Sequence, residues 1–264
     1  MRRSFVFLVV CLLAASVARA DLAEIKKSGT LRVLVNLDGN RPEFFSITSE
    51  ALPGFDHEVL RAFARVHQLK LEVVPVSGWD ALLPALLAGK GDVIAGRFTM
   101  TSSRREQIDF TREIFPYRLV VMTRKPHRVV RTLEELRGEK VGTTRGSSLV
   151  DALDAAGVPL DKRDDKIPTG AYAEALRTGR VTAIVWGLEC AIPSQREDPE
   201  IQLGMFVGPP GRLAYGLRKE DANLLFALDE HIGSLRRAPA YYELVQKYFG
   251  DDAPEILKRV RLPE

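Results

Sequence analysis

The sequence has 264 residues, and its 38 Lys and Arg against 35 Asp and Glu give a formal net charge of +3. Three of the cations, Arg2, Arg3 and Arg19, lie in the first 20 residues, which contain no acid. Subtracting them leaves 35 basic against 35 acidic residues in the rest of the chain. This balance argues against nucleic acid or an anionic membrane surface as a partner.

The N-terminus has the features of a signal peptide. Met1-Arg2-Arg3 is followed by an uncharged run over residues 5–17 and by Ala18-Arg19-Ala20, a small-x-small cleavage pattern. The uncharged run is shorter than the roughly 20 residues that span a bilayer, although an uncut N-terminal anchor is the alternative. We therefore predict a signal peptide over 1–20, cleavage after Ala20 and a mature chain that lies outside the cytoplasm.

Strand-like runs alternate with helical patterns along the mature chain, which predicts an α/β protein. The predicted strands cover residues 31–35, 71–76, 92–95, 119–123, 141–143, 181–186 and 214–217. Helical patterns begin near Phe55 with Asp56 as N-cap, and at 79–89, 101–105, 132–136, 147–156, 172–176, 221–232 and 241–250. The charged tail 251–264 is expected to lie on the surface.

Metal and cofactor chemistry find little support in the residue pattern. Cys190 is the single cysteine after predicted cleavage, so no internal disulfide is possible, and no Cys/His cluster has zinc-ligand spacing. The four histidines are scattered, and no G-x-S-x-G elbow occurs. We expect no metal, no cofactor and no catalytic residue.

The order of motifs along the mature chain resembles the bacterial extracellular solute-binding proteins of family 3, which serve amino-acid ABC transporters. The motifs include Gly54-Phe55-Asp56, Gly91-Asp92-Val93-Ile94-Ala95-Gly96, Thr99-Met100-Thr101-Ser102-Ser103-Arg104, Gly179-Arg180-Val181 and Lys247-Tyr248-Phe249-Gly250. The resemblance implies a two-lobed periplasmic-binding-protein fold with a two-strand hinge and a ligand cleft between the lobes. It places the first lobe at 21–116 and 213–264 and the second at 117–212.

Arg104 is the principal candidate for ligand binding. The resemblance implies that this arginine grips the ligand carboxylate, and a planar guanidinium matches a carboxylate with two parallel hydrogen bonds. Thr99 is expected to add a hydroxyl or a backbone amide. The alternative for Arg104 is a surface arginine on a short helix, as its neighbour Arg105 is expected to be.

Further candidates lie on both lobes. Ser147 and Ser148 precede a predicted helix in the second lobe, where helix N-terminal amides favour an anion. Trp79 is expected to pack on the ligand, with a core position as the alternative. The weaker candidates for the wall of the cleft are Phe44, Phe45 and Phe98, and Gly96 is a further ligand-binding candidate.

The second lobe departs from the family pattern. The resemblance leads one to expect an acid for the ligand ammonium just after strand 181–186, but Gly187 stands there and the nearest acid is Glu189. Glu189 either reaches back to the ligand or is a solvated acid in the first turn of a helix. Arg97 is an extra cation near the cleft unless it points to solvent. Together these departures suggest a ligand more negative than a standard amino acid, such as a dicarboxylate, a keto acid or an acidic amino acid.

The sequence therefore predicts a monomeric solute-binding protein that captures a small anionic or zwitterionic ligand by hinge closure for the membrane permease subunits of an ABC transporter. Two alternatives remain open. One is a free-standing sensor related to the N-terminal domain of lytic transglycosylases. The other is an enzyme similar to cyclohexadienyl dehydratases, in which Glu189 would act as the acid.

Overall fold

The computed structural model describes residues 21–38 and 41–260, so the predicted signal peptide lies outside the described residues. The chain forms two α/β lobes, each built around its own mixed sheet. In the described part of the chain, none of the helices has the length and apolar character that a membrane span requires.

The strands are β1 (Thr30–Asn36), β2 (Lys70–Val76), β3 (Val93–Ala95), β4 (Asp109–Phe110), β5 (Phe115–Arg124), β6 (Val141–Gly142), β7 (Arg163–Asp164), β8 (Ala183–Gly187), β9 (Ile201–Leu213) and β10 (Gly216–Leu217). The α-helices are α1 (Leu22–Ser28), α2 (Phe55–Val66), α3 (Leu82–Leu87), α4 (Ser102–Arg105), α5 (Leu133–Gly138), α6 (Ser148–Ala155), α7 (Tyr172–Arg177), α8 (Leu188–Glu197), α9 (Ala222–Arg237), α10 (Pro239–Phe249) and α11 (Ala253–Arg259).

The first lobe contains the sheet β2-β1-β3-β10-β4. Strand β1 pairs in parallel with β2 and β3, whereas β10 is antiparallel to β3 and β4. The parallel pairs follow from the helices α2 and α3, which form the crossover connections that parallel strands require. An aromatic cluster fills the core beside this sheet, with ring centroids 5.1–6.2 Å apart among Phe44, Phe55, Phe115 and Phe249.

The second lobe contains the sheet β7-β6-β8-β5-β9. Strand β5 carries the chain out of the first lobe and β9 returns it, and the two strands pair antiparallel from Phe115 with Leu213 to Arg124 with Ile201. The two strands that connect the lobes therefore run side by side. The lobe boundaries at 116/117 and 212/213 stay a prediction.

Strand β9 was not predicted from the sequence. It contains Gly208, Pro209, Pro210 and Gly211, residues that normally indicate a turn. The strand lies at the edge of its sheet, where prolines are tolerated because one side of the strand needs no hydrogen-bond donors. A shift in its register against β5 accompanies this segment.

Two further expectations were wrong. Gly54, not Asp56, is the N-cap of α2, and the Asp56 side chain is buried in the protein. The tail does not simply lie on the surface, because α11 buries Ala253 and Ile256 in the core. The cause in both cases is tertiary packing, which a short local pattern does not reveal.

Candidate functional site

A small cavity lies between the two lobes. Residues of both lobes line it: Trp79, Arg97, Thr99, Arg104, Tyr117, Ser147, Ser148, Leu149, Thr169 and Trp186. Six of these were predicted from the sequence, namely Trp79, Arg97, Thr99, Arg104, Ser147 and Ser148.

Contacts with its own helix and with residues of both lobes fix the position of Arg104 in the cavity. The short helix α4 begins after Thr101, whose hydroxyl accepts a hydrogen bond from the Arg104 backbone N–H. The guanidinium lies 4.1 Å from the centroid of the Phe98 ring and donates to the carbonyls of Thr99 at 2.8 Å and Gly146 at 3.5 Å. These contacts fix a planar cation in the cleft.

The charge of Arg104 has no close counter-ion in the described residues, where no carboxylate lies within ion-pair distance of it. Burial lowers the pKa of its guanidinium to about 10, although the more distant Asp151 opposes this shift. The half-buried side chain is therefore a partly desolvated cation at neutral pH. A bound anion would restore the electrostatic stabilisation that burial removes.

Hydroxyl groups connect the lobes beside Arg104. Ser148, the first residue of α6, donates from Oγ to Oγ1 of Thr99 across the cleft at 3.1 Å. Ser147 is the N-cap of α6 and donates to the carbonyl of Thr144 at 2.6 Å. The N-terminus of α6 therefore faces the cavity that contains Arg104.

Trp79 belongs to the cavity wall and to a core cluster at the same time. It precedes α3 instead of lying on that helix, and its side chain packs in a cluster with Leu34, Leu82 and Phe98. Its Nε1 donates to Oγ1 of Thr169 in the second lobe at 3.4 Å. The core position is confirmed, whereas packing of this ring on a ligand stays a prediction.

Arg97 and Glu189 form a buried ion pair between the lobes. Oε1 of Glu189 accepts from Nε of Arg97 at 3.2 Å and from Nη2 at 2.8 Å. The two side chains are 5% and 0% exposed, so neither is solvated. The alternatives of an outward Arg97 and a solvated Glu189 are wrong. Because Glu189 compensates its charge, Arg97 is not the extra cation that favoured a more negative ligand.

The backbone at Gly96 and Arg97 has an unusual conformation. Their φ angles are +82° and +63°, and a positive φ is uncommon for a side chain such as that of arginine. Both backbone N–H groups donate to Oδ2 of Asp56 at 3.1 Å, and the Tyr215 hydroxyl donates to Oδ1 at 3.2 Å. Asp56 thus holds the turn from which the Arg97 side chain enters the cleft.

Five predicted site residues do not line the cavity. The ring of Phe98 packs against the Arg104 guanidinium. The backbone N–H of Gly96 donates to Asp56, and Glu189 lies behind Arg97 as its ion-pair partner. Phe44 and Phe45 are buried in the first lobe, where Phe44 belongs to the aromatic cluster and the ring of Phe45 packs edge-on against His57 with centroids 5.2 Å apart. Both rings therefore contact the core and not the cavity.

The cavity also contains four residues that the sequence did not single out: Tyr117, Leu149, Thr169 and Trp186. Tyr117 and Trp186 lie in β5 and β8, where a buried aromatic residue is read as core. Trp186 is one residue before Gly187, the position where the resemblance already implied a ligand contact. This proximity to Gly187 was the one feature of the sequence that could have indicated a cavity position for Trp186.

Comparisons with known proteins agree with this architecture. The family model of bacterial extracellular solute-binding proteins, family 3, matches residues 31–251. The L-cystine-binding protein TcyJ of Escherichia coli is 28% identical over 88% of this chain and 86% of its own length. A membrane-bound lytic murein transglycosylase F of Desulfosudis oleivorans is 25% identical over 87% of this chain, which spans half the length of that protein.

Solved structures show the same two-lobed fold. A mutant of ArgBP from T. maritima superposes with a TM-score of 0.74 at 26% identity, covering 87% of this chain and 99% of that chain. An ancestral amino acid-binding protein, a precursor of cyclohexadienyl dehydratase, also gives a TM-score of 0.74 at 26% identity, covering 86% and 99%. The chain belongs to the bacterial extracellular solute-binding proteins, family 3.

Proposed function

We propose that this protein binds a small carboxylate-bearing ligand in the cavity between its lobes and delivers it from the periplasm to the permease subunits of an ABC transporter. The observation that carries the proposal is the placement of Arg104, a half-buried cation in the cavity without a carboxylate within ion-pair distance in the described chain. A guanidinium in this setting favours a planar anion with two oxygen acceptors.

Ligand binding would couple to closure of the lobes. The proposed lobes are residues 21–116 with 213–264, and residues 117–212. Arg104 and Thr99 come from the first, whereas Ser147 and Ser148 come from the second. A ligand that contacts both groups has a higher affinity for the closed form, and this difference in affinity drives closure.

The relatives support a carboxylate as the common chemical feature. TcyJ is named for L-cystine, and other relatives from Escherichia coli are named for lysine, arginine and ornithine or for histidine. All these solutes carry an α-carboxylate. The relatives are mainly binding proteins, and we propose binding without turnover for this chain.

The proposal can be tested with the mature protein, residues 21–264, by a thermal-shift screen of amino acids, dicarboxylates, oxo acids and aromatic acids. A ligand at about 100 times its dissociation constant should add roughly 2.7 kcal/mol to the free energy of unfolding. Arg104→Ala should abolish this stabilisation. The matched control is Arg105→Ala, because Arg105 is the exposed neighbour on the same helix.

A thermal shift that survives Arg104→Ala, or no shift with any carboxylate, would contradict the proposal. Loss of the shift in both arginine variants would point to a general change of charge and would count against a specific role for Arg104. Circular dichroism of each variant establishes that the fold is retained.

A second candidate is a free-standing sensor module, favoured by the similarity to half of a lytic transglycosylase. In that case cell-wall fragments, and not free amino or oxo acids, would stabilise the protein. A pull-down with detergent-solubilised permease subunits separates the two functions, since a transport protein should bind its permease more tightly when it is loaded with ligand.

A further inference from the structure

The carboxylate of Glu189 occupies the space next to Gly187 that a side chain at position 187 would fill. A Cβ atom built on Gly187 would lie 2.5 Å from Oε2 and 2.6 Å from Cδ of Glu189. Glu189 is in the first turn of α8 and folds back toward the end of β8. The second lobe therefore does have an acid near this point, but it comes from two residues further along the chain.

This acid is already paired with a cation of the protein. Oε1 of Glu189 accepts two hydrogen bonds from Arg97, and the pair is buried between the lobes. Oε2 of Glu189 is buried without a hydrogen-bond partner in the described structure. Arg97 lines the cavity, whereas Glu189 is not among the lining residues. A ligand in the cavity therefore meets the guanidinium of the pair and not its carboxylate.

The charges around the cavity favour a ligand with one negative charge and no ammonium. Arg97 and Glu189 compensate each other, so Arg104 remains as the net charge of the lining. A ligand carboxylate would neutralise the single positive charge of Arg104. An α-amino acid would add an ammonium to a cavity whose lining contains the cation Arg97 and no carboxylate, and like charges placed close together are unfavourable.

Two hydrogen-bond donors of the cavity, Arg97 and Trp186, favour a ligand oxygen, whereas the hydroxyl groups of the lining can both donate and accept. Trp186 lines the cavity at 3% exposure, and its Nε1 is buried without a hydrogen-bond partner in the described structure. Indole Nε1 and guanidinium groups donate and cannot accept. A ligand oxygen can accept from such donors, whereas an ammonium group cannot.

Resting on the function proposed above, we propose that the cavity selects oxo acids or hydroxy acids over the corresponding α-amino acids. The ligand carboxylate binds Arg104. An oxo or hydroxyl oxygen takes the place of the amino group and accepts hydrogen bonds from the donors of Arg97 and Trp186. The Arg97–Glu189 pair is the specificity determinant, because it presents the Arg97 guanidinium to the cavity and keeps the Glu189 carboxylate out of the lining.

Isothermal titration calorimetry with matched ligands tests this selectivity on the wild-type protein. Each set shares one side chain: alanine, pyruvate and lactate; phenylalanine, phenylpyruvate and phenyllactate; glutamate, 2-oxoglutarate and 2-hydroxyglutarate. In the set that fits the cavity, we expect the oxo or hydroxy acid to bind at least about ten-fold more tightly than the amino acid.

Amino acids that bind as tightly as their oxo and hydroxy counterparts, or more tightly, would overturn this inference and leave the proposed function intact. Failure of all three classes in every set would overturn the proposed function and this inference with it. The comparison needs no variant, so a folding defect cannot obscure either result.

Variants then test the role of the ion pair. Arg97→Asn introduces a residue that tolerates the positive φ of this position, and it leaves Glu189 without its partner. The ratio of the affinities for the oxo acid and the amino acid should therefore shift toward the amino acid by about ten-fold. The double variant Arg97→Asn with Glu189→Gln should lose this gain. Arg105→Asn should keep the wild-type preference. An unchanged preference in Arg97→Asn, with circular dichroism showing the native fold, would exclude the ion pair as the determinant.

Discussion

The carboxylate of Asp56 accepts a hydrogen bond from the backbone N–H of Arg97 at 3.1 Å. This bond joins the first turn of α2 to the residue that provides the cation of the interlobe ion pair. Because the same oxygen also accepts from Gly96, the two contacts together hold a backbone turn with positive φ. A buried acid distant from the ligand thus positions a side chain of the cleft.

Asp56 should make stability depend on pH in a defined direction. Burial raises the pKa of its carboxyl to about 6, although the N–H donors and the Tyr215 hydroxyl oppose this shift. The unfolded value is about 3.9, so the folded protein binds this proton more tightly. The resulting stabilisation is fully present below about pH 4 and is lost as the pH rises through 6. It amounts to roughly 3 kcal/mol.

Urea unfolding of wild type and Asp56→Asn across pH 4 to 7 measures this effect. The free energy of unfolding of the variant should rise relative to that of wild type as the pH increases. Tyr215→Phe removes a donor to the carboxylate and should move the titration of Asp56 to higher pH. A difference between Asp56→Asn and wild type that does not change with pH would contradict the assignment.

Gly187→Ala should destabilise the protein through steric conflict. The φ and ψ angles of Gly187 are −66° and 138°, which alanine adopts without strain, so backbone conformation is not the reason. The added Cβ would overlap the Glu189 carboxylate and displace it from Arg97. We expect a loss of about 1–3 kcal/mol in the free energy of unfolding.

Thermal or urea unfolding checks this prediction in two backgrounds. Gly187→Ala should cost less in a Glu189→Ala protein, because the clashing carboxylate is gone. The matched control is Gly138→Ala, where a Cβ meets nothing within 4 Å and stability should be unchanged or slightly increased. Equal costs in the two backgrounds would show that Glu189 is not the group that requires glycine.

The C-terminal helix should contribute to stability. Ile256 in α11 is 0% exposed, and its truncation to alanine should cost about 2–5 kcal/mol because it leaves a cavity in the core. Lys258→Ala on the exposed side of the same helix is the control and should be within about 0.5 kcal/mol of wild type. Comparable stabilities for the two variants in urea unfolding would mean that α11 is not anchored to the core.

Cys190 should be unreactive in the native protein. Its thiol is 0% exposed, and burial raises its pKa well above the usual value, so little thiolate is present at neutral pH. Labelling with 5,5′-dithiobis(2-nitrobenzoic acid) should be slow in buffer and complete in denaturant. Rapid labelling of the native mature protein would show that the region around α8 opens readily.

The local pattern of the sequence predicted most of the regular structure. Alternating strand and helix patterns indicated an α/β fold, and the family model and the solved structures confirm the two-lobed architecture. These features are readable because burial of one face imposes a period of about two or 3.6 residues on the chain. The cap Thr101 and the following turn of α4 were predictable for the same local reason.

The tertiary structure alone decided how the candidate site residues combine. Arg97 and Glu189 are 92 residues apart in sequence, and only the packing of the two lobes brings their charges together in a buried pair. The sequence could name both residues, but it gave no information on their partner, because an ion pair across a cleft has no local period. The same holds for Trp186, whose strand pattern indicated burial but not the cavity beside it.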